Sequence, residues 1–90
     1  MAWKIEFSDT AERQLARLDR QIAARIVNYL TTRVAPLPNP RSAGQALTGS
    51  FGDLWRYRVG DYRVICAIED EVLRVLIVRI GHRREVYRGS

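Results

Sequence analysis

Apolar residues alternate with polar ones at the start of this chain and then recur at helical spacing. Residues 3–7 alternate as a half-buried strand does. Over residues 9–35 the apolar positions lie three or four apart, which predicts two helices with Asp9 and Asp19 as their N-caps. Helices joined so closely should form an antiparallel hairpin. Their predicted buried positions are Ala11, Leu15, Leu18, Ile22, Ile26, Tyr29 and Leu30.

Residues 54–68, LWRYRVGDYRVICAI, alternate on both sides of Gly60-Asp61, a dipeptide typical of two-residue hairpin turns. In that register Arg58 faces Arg63 across the two strands. Like charges directly opposite each other destabilise a sheet, and the cost is best accepted where a polyanion binds between them. One face is predicted to be core and comprises Trp55, Tyr57, Val59, Tyr62, Val64, Cys66 and Ile68. The other carries Arg56, Arg58 and Arg63.

The last apolar segment, residues 72–80, is almost continuous and predicts a central strand covered on both faces. An acidic turn precedes it. If Asp70-Glu71 are the turn residues, Val64 faces Ile77. A four-residue turn would leave each residue of the last strand on the same face of the sheet, whereas a three-residue turn would exchange the two faces. An unbroken strand places Arg74, Leu76 and Val78 on the arginine side.

Residues 36–52 are rich in Pro, Gly, Ser and Asn and predict a long connection from the helices to the sheet. No repeat or shift in composition marks a second domain. The sequence therefore predicts one α+β domain over residues 1–90. Its elements follow the order β-α-α-β-β-β, with a mainly antiparallel sheet and a helical hairpin packed on one face.

The charge balance points to an anionic partner. Fifteen Lys and Arg against ten Asp and Glu give a net charge of +5, and every basic residue except Lys4 is an arginine. Arginine binds phosphate and carboxylate bidentately and stacks on bases, so nucleic acid and an acidic protein segment both fit. No spacing of ligand residues suggests a metal.

Cysteine usage and hydropathy bear on the compartment. The single cysteine, Cys66, cannot form an internal disulfide, and its place on the apolar face indicates a buried, inert thiol. No apolar run approaches bilayer length, and the N-terminus lacks a signal-peptide pattern. These features predict a protein of the reducing cytoplasm.

The hairpin WRYRVGDYRV and the tail GHRREVY, together with the order of elements, resemble the RelE/ParE toxin superfamily and within it RelE. The resemblance covers nearly the whole chain, and the hairpin and tail are its specific parts. It implies the toxin of a type II toxin–antitoxin pair. RelE-type toxins are mRNA interferases that cut messenger RNA in the ribosomal A site and are held inactive by a cognate antitoxin, and the resemblance implies that activity here. It implies no metal and no small-molecule cofactor.

The resemblance also assigns residues. Its catalytic positions fall on Arg56, Arg58, Arg63, Arg83 and Tyr87, and the further basic positions expected to contact RNA are Arg74, His82, Arg84 and Arg88. RelE has lysines where this chain has Arg56 and Arg58, and one of those lysines is a candidate general base. Arginine cannot give up its proton at physiological pH. The tail is also shorter than in RelE, which leaves the choice between Arg83 and Arg84 open.

Metal-free RNA cleavage needs a charge clamp on the phosphate and a route for protons. The arginines supply the clamp. Tyr87 either moves a proton or stacks on a base, while His82 either transfers a proton or orients the tail. Because these residues are poor proton-transfer groups, the ribosome is expected to orient the substrate, and RNA without ribosomes should be cleaved little.

Other functions fit the same residues. The arginine side also suits docking of an acidic or amphipathic antitoxin segment, and the two uses are compatible. A ParE-like toxin that inhibits DNA gyrase and a non-toxic basic module that binds RNA or protein are the alternatives.

Overall fold

Two helices lie against one face of a five-stranded mixed sheet in the order β1-β5-β4-β3-β2, so the predicted α+β class is confirmed. The computed structural model describes residues 2–47 and 53–82. Strand β1 runs parallel to β5, and the other neighbours are antiparallel. The strands are β1 (Lys4–Phe7), β2 (Gln45–Ala46), β3 (Trp55–Val59), β4 (Tyr62–Glu69) and β5 (Arg74–His82). The helices are α1 (Asp9–Arg17) and α2 (Arg20–Tyr29), the latter continued by a π-helical turn at Leu30–Val34.

The start of α1 differs from the prediction by one residue. Ser8, not Asp9, is the N-cap, and its hydroxyl accepts a hydrogen bond from the Ala11 amide at 3.1 Å. The same hydroxyl donates to the Val78 carbonyl at 3.2 Å. This tertiary bond to β5 favours Ser8, and the sequence gives no sign of it. The second predicted cap, Asp19, is confirmed and accepts from the Gln21 amide at 2.9 Å.

The predicted hairpin register is confirmed. Gly60 takes a positive φ of 61° in the turn, Val59 pairs with Tyr62, and Arg58 pairs with Arg63. The alternation of faces follows, so Tyr57 is buried on the helix side while Arg58 is exposed on the other.

The turn between β4 and β5 has four residues, so the two-residue alternative was wrong. A short 3-10 helix at Asp70–Val72 is closed by Leu73, which adopts a left-handed φ of 51°. Glu69 and Arg74 are the first pair of the ladder. Because a four-residue turn keeps the parity of a two-residue turn, the predicted faces hold at this end of β5.

A β-bulge then reverses the faces of β5. Cys66 pairs with Ile77, but Ile65 pairs with Arg79, so Val78 is the extra residue of the bulge. Beyond this point Arg79 takes the side predicted for Val78, and Ile80 joins the core with 3% exposure.

The core lies between the helices and the sheet. Its completely buried side chains come from both layers and include Ile26, Leu30, Val34, Tyr57, Val64, Cys66, Val75 and Ile77. The prediction that Cys66 is a buried thiol is confirmed, and burial raises its pKa to about 12. Beyond the end of β1, α1 covers the edge of β5, where the Gln14 side-chain oxygen accepts from the Ile80 amide at 2.6 Å.

The connection after α2 contains the strand β2, which the sequence analysis missed. A strand of two residues shows too little alternation to be recognised. A 3-10 turn at Pro40–Ser42 precedes it. Three aromatic side chains donate to carbonyl oxygens of this connection: Trp3 to Pro38 (3.2 Å), Tyr57 to Pro40 (2.8 Å) and Trp55 to Ala43 (2.6 Å). No helix in the described ranges is long and apolar enough to cross a membrane.

Candidate functional site

Four arginines lie close together at one end of the sheet face that the helices leave uncovered, and we call this surface the arginine face. It comprises Arg56 and Arg58 on β3, Arg63 on β4 and Arg79 on β5. Arg58 pairs directly with Arg63, while Ile65 on the central strand pairs with both Arg56 and Arg79. With neighbouring strands about 4.8 Å apart and alternate residues about 7 Å apart, the four Cα atoms fit within about 12 Å.

The two arginines that face each other differ in burial. Arg58 is exposed, whereas Arg63 is only 7% exposed and donates to the Tyr62 carbonyl at 3.3 Å. Gly81 is the partner of Arg63 on β5, so no side chain stands beside it on that strand. A charge that is largely withdrawn from water is screened little by salt, so interactions of the Arg63 guanidinium should depend less on ionic strength than those of Arg58.

Arg56 is positioned by the edge strand. Its guanidinium Nη2 donates to the side-chain oxygen of Gln45, and the backbones of the two residues are paired as well. The missed strand β2 therefore has a clear role, since it holds one of the predicted catalytic arginines in place.

Arg74 is not brought to the other arginines. It lies at the opposite end of β5, seven residues from Gly81, which is about 23 Å along a strand. Its guanidinium pairs with Glu69 and, at 3.2 Å, with Glu6. The bond to Glu69 is the main cause that raises the pKa of Arg74. A cation engaged by two carboxylates is a weaker candidate for RNA binding than the predicted assignment suggests.

His82 also lies away from the arginine face. It pairs with Tyr62, and the two rings pack edge to face with centroids 5.7 Å apart. Since Tyr62 packs against the core on the helix side, the register places His82 on that side of the sheet too. The remaining predicted residues, Arg83, Arg84, Tyr87 and Arg88, lie outside the described residues.

The sequence of this chain matches a family model over almost its full length. That model, the ParE toxin of the type II toxin–antitoxin system parDE, matches residues 5–87. The chain belongs to this toxin family. The predicted membership of the RelE/ParE superfamily is thereby confirmed.

Curated relatives and solved structures place this ParE-family toxin near RelE. It is 37% identical to toxin RelE of Mycobacterium tuberculosis, covering 96% of this chain and 87% of the relative. Identity to toxin RelG of the same organism is 31%, over 98% and 99% of the two chains. Its fold matches that in the crystal structure of the toxin–antitoxin complex RelBE2 from M. tuberculosis. The TM-score is 0.83 with 28% identity, and 94% of this chain and 95% of that chain are covered.

A more distant solved structure shares the fold as well. The archaeal RelE–RelB complex from Pyrococcus horikoshii gives a TM-score of 0.68 at 24% identity, covering 96% of this chain and all of that chain. The toxin is therefore of the RelE type, both in sequence relatives and in fold.

Sequence reasoning missed one basic residue of this toxin's arginine face. Arg79 looks like a core-side residue when β5 is treated as unbroken, because it then shares the parity of Ile77. Only the bulge at Val78 moves it to the other side. Hydrophobic patterning gives no signal for it, because Leu76 and Val78 are apolar on the arginine side just as Ile80 would be in a regular strand.

The arginine face supplies fixed positive charge and hydrogen-bond donors. Guanidinium groups cannot accept a proton at neutral pH, so they serve as a clamp for a phosphate rather than as a general base. Among residues 2–47 and 53–82, no three His, Cys, Asp or Glu side chains are grouped so as to hold a metal ion.

Proposed function

We propose that this toxin is a ribosome-dependent mRNA endonuclease that cleaves messenger RNA in the ribosomal A site and so inhibits translation. The observation that carries the proposal is the facing pair Arg58 and Arg63, joined on the same surface by Arg56 and Arg79. Four cations within about 12 Å fit a phosphodiester better than any neutral or cationic substrate.

In this reaction the ribose 2′-oxygen of the RNA attacks the adjacent phosphorus while the bond to the 5′-oxygen of the next nucleotide breaks. The 2′-hydroxyl loses its proton and the leaving oxygen gains one, which gives a 2′,3′-cyclic phosphate and a 5′-hydroxyl. No metal is required. Arg58 and Arg63 stabilise the extra negative charge on the phosphate oxygens in the transition state, and Arg56 and Arg79 hold the neighbouring backbone.

The proton steps fall to other groups. Arginine is a poor base, so the described part of the arginine face leaves proton transfer to the tail, the substrate or the ribosome. In the proposal Arg83 extends the phosphate clamp, and Tyr87 orients a base or carries the proton. Arg84, Arg88 and His82 contact the RNA backbone or orient the tail. A toxin with so few groups for proton transfer depends on the ribosome to align the 2′-oxygen with the scissile bond.

We also propose a cognate antitoxin that covers the arginine face with an acidic or amphipathic segment. Support comes from the M. tuberculosis neighbour, whose structure is a toxin–antitoxin complex. Charge complementarity supports it too, because the toxin has a net charge of +5. Both partners would work in the cytoplasm, where translating ribosomes are found.

Primer-extension mapping of an mRNA incubated with the purified toxin tests the activity. Cuts confined to A-site codons, and only in the presence of translating ribosomes, are the expected result. Arg58→Ala should remove them, while Arg13→Ala, which deletes an exposed arginine of α1, should not. Efficient cutting of naked RNA would contradict ribosome dependence, and no cutting in either reaction would contradict the nuclease assignment.

A second candidate is inhibition of DNA gyrase without any cleavage. The observation that favours it is the family model, which describes a ParE toxin. The arginine face would then be a protein-binding surface. A supercoiling assay with purified gyrase separates the two candidates, because only the ParE-like function inhibits supercoiling at toxin concentrations that leave ribosome-bound mRNA intact.

A further inference from the structure

A cleft of about 230 Å³ opens where the arginine face meets the β2 edge of the sheet, and the proposed cleavage step does not use it. We call it the edge cleft. It is lined by Tyr29, Gly44, Gln45, Arg56 and Arg58. Two of these residues, Arg56 and Arg58, also belong to the arginine face, so the cleft adjoins the proposed RNA-binding surface.

Tyr29 contributes an aromatic ring to the lining of the edge cleft. Tyr29 is half-buried and packs against the ring of Tyr57, with centroids 6.2 Å apart and planes tilted by 59°. Tyr57 is itself completely buried. A ring held in this way offers a stacking surface at little entropic cost, and stacking on aromatic side chains is a usual way to bind single-stranded nucleic acid.

Gln45 and Arg58 add polar groups to the lining of the cleft. The side-chain oxygen of Gln45 accepts from Arg56, which leaves the amide NH2 to donate to a ligand. Such donors suit the ring nitrogens and carbonyl oxygens on the edge of a nucleobase. Arg58, which is exposed, suits the phosphate attached to that nucleotide.

Gly44 also lines the cleft. It has a φ of 75°, and a Cβ there would collide with the Arg56 carbonyl oxygen and lie 2.8 Å from the Tyr57 ring. The backbone therefore lies so close to β3 that only glycine fits at this position. An acidic peptide would satisfy the two guanidinium groups and leave the ring unused, whereas a nucleotide uses the ring, the amide and the guanidinium groups together.

We propose that the edge cleft binds one nucleobase of the mRNA strand whose phosphate lies on the arginine face. Tyr29 stacks on the base and the Gln45 amide donates to its edge. The inference rests on the proposed function in that it takes the ligand to be single-stranded RNA. It adds a specificity determinant, since one nucleotide of the substrate is then selected by shape and hydrogen bonding.

Fluorescence anisotropy with a short, uncleavable 2′-O-methyl RNA tests the cleft without ribosomes. Tyr29→Leu should weaken binding about 5- to 150-fold, the range for one base–aromatic contact, whereas Tyr29→Phe should bind as the native protein does. In a series of RNAs with one abasic position each, a single position should weaken binding to the native protein. The Tyr29→Leu variant should bind that abasic RNA as tightly as it binds the intact RNA, because the stacking contact is already lost.

Gln45→Ala keeps the inference testable if Tyr29→Leu fails to fold, because Gln45 is exposed on the edge strand. This variant should weaken binding at the same RNA position. Equal abasic penalties in the native and variant proteins, or no measurable RNA binding by the native protein, would overturn the assignment. Variants that keep RNA affinity but lose antitoxin affinity would overturn it too, because the cleft would then bind protein.

Ribosome-dependent cleavage, measured in parallel, separates this inference from the proposed function. If the native toxin cuts no mRNA but still binds one abasic RNA more weakly in a way that requires Tyr29, the nuclease assignment would be refuted. The cleft would then remain a site for a nucleobase. If the native toxin and the Tyr29→Leu variant cut mRNA equally well and at the same codons, base binding in the cleft would be refuted and the nuclease assignment would stand.

Discussion

Neutralising Arg58 should change activity and stability in opposite directions. The substitution Arg58→Gln removes the charge and keeps a long side chain in the strand. Arg58 faces Arg63 across the hairpin, and facing like charges destabilise a sheet by about 0.2–1 kcal/mol. Because Arg58 is exposed and screened, the low end applies. One kcal/mol corresponds to about 4–8 °C in a domain of this size, so the melting temperature should rise by about 1–2 °C at low salt.

The effect on cleavage should be far larger. A single preorganised donor to transition-state charge contributes about 100- to 1000-fold in rate, and Arg58→Gln should lose that much ribosome-dependent cleavage. The assay is a single-turnover time course by primer extension, combined with thermal denaturation at low and high salt. High salt should abolish the gain in melting temperature. Arg13→Gln, an equal change of charge on the exposed side of α1, should leave both quantities nearly unchanged.

Two results would refute this reasoning. A fall of several degrees in the melting temperature would mean that Arg58 supports the fold. An unchanged cleavage rate would mean that the arginine face is a docking surface. Arg63 offers a useful contrast, because it is 7% exposed and its replacement should lower the melting temperature as well as the rate.

Three further predictions concern the scaffold. Gly44→Ala should lower the melting temperature by about 10 °C or more, because it combines a left-handed φ with a collision against the Arg56 carbonyl oxygen. Tyr57→Phe should lower the free energy of unfolding by about 1–3 kcal/mol, because the buried Pro40 carbonyl loses the 2.8 Å hydrogen bond from the Tyr57 hydroxyl. Urea denaturation measures this, and the m-value should not change. Cys66 should resist thiol reagents at pH 8 in the folded protein, because burial raises its pKa to about 12 and leaves almost no reactive thiolate at that pH. It should react once urea unfolds the protein and returns its pKa to the ordinary range of a thiol. Rapid labelling of the native state would contradict its burial.

Local chemistry made the hairpin predictable from sequence. Gly60-Asp61 defines the turn, and a two-residue turn fixes every pair on both strands, so Arg58 and Arg63 could be assigned to one face. The helices were likewise predictable, because apolar spacing and the Asp19 cap are local signals. The family resemblance rested on the same hairpin, which explains why fold and family were predicted together.

What the sequence could not supply depends on contacts between distant residues. Ser8 replaced Asp9 as the cap because its hydroxyl also reaches β5. The burial of Arg63 does not follow from alternation, which predicts the same exposure as for Arg58. Arg74 looked like a free basic residue, although Glu6, far away in sequence, is bound to it. For Ser8 and Arg74, a partner distant in sequence, Val78 or Glu6, lies outside any local window.

The bulge in β5 has a consequence for how this strand can change in evolution. Val78 is the one extra residue that lets Ile77 and Ile80 both face the helices while Arg79 faces the other way. If β5 paired regularly with Val78 retained, Arg79 would turn into the core and Ile80 would be expelled. A chain that lacked Val78 would keep both residues on their present sides without any bulge, because Ile77, Arg79 and Ile80 would then alternate regularly. The bulge therefore allows a strand one residue longer than regular pairing needs, and losing that residue should exchange no faces.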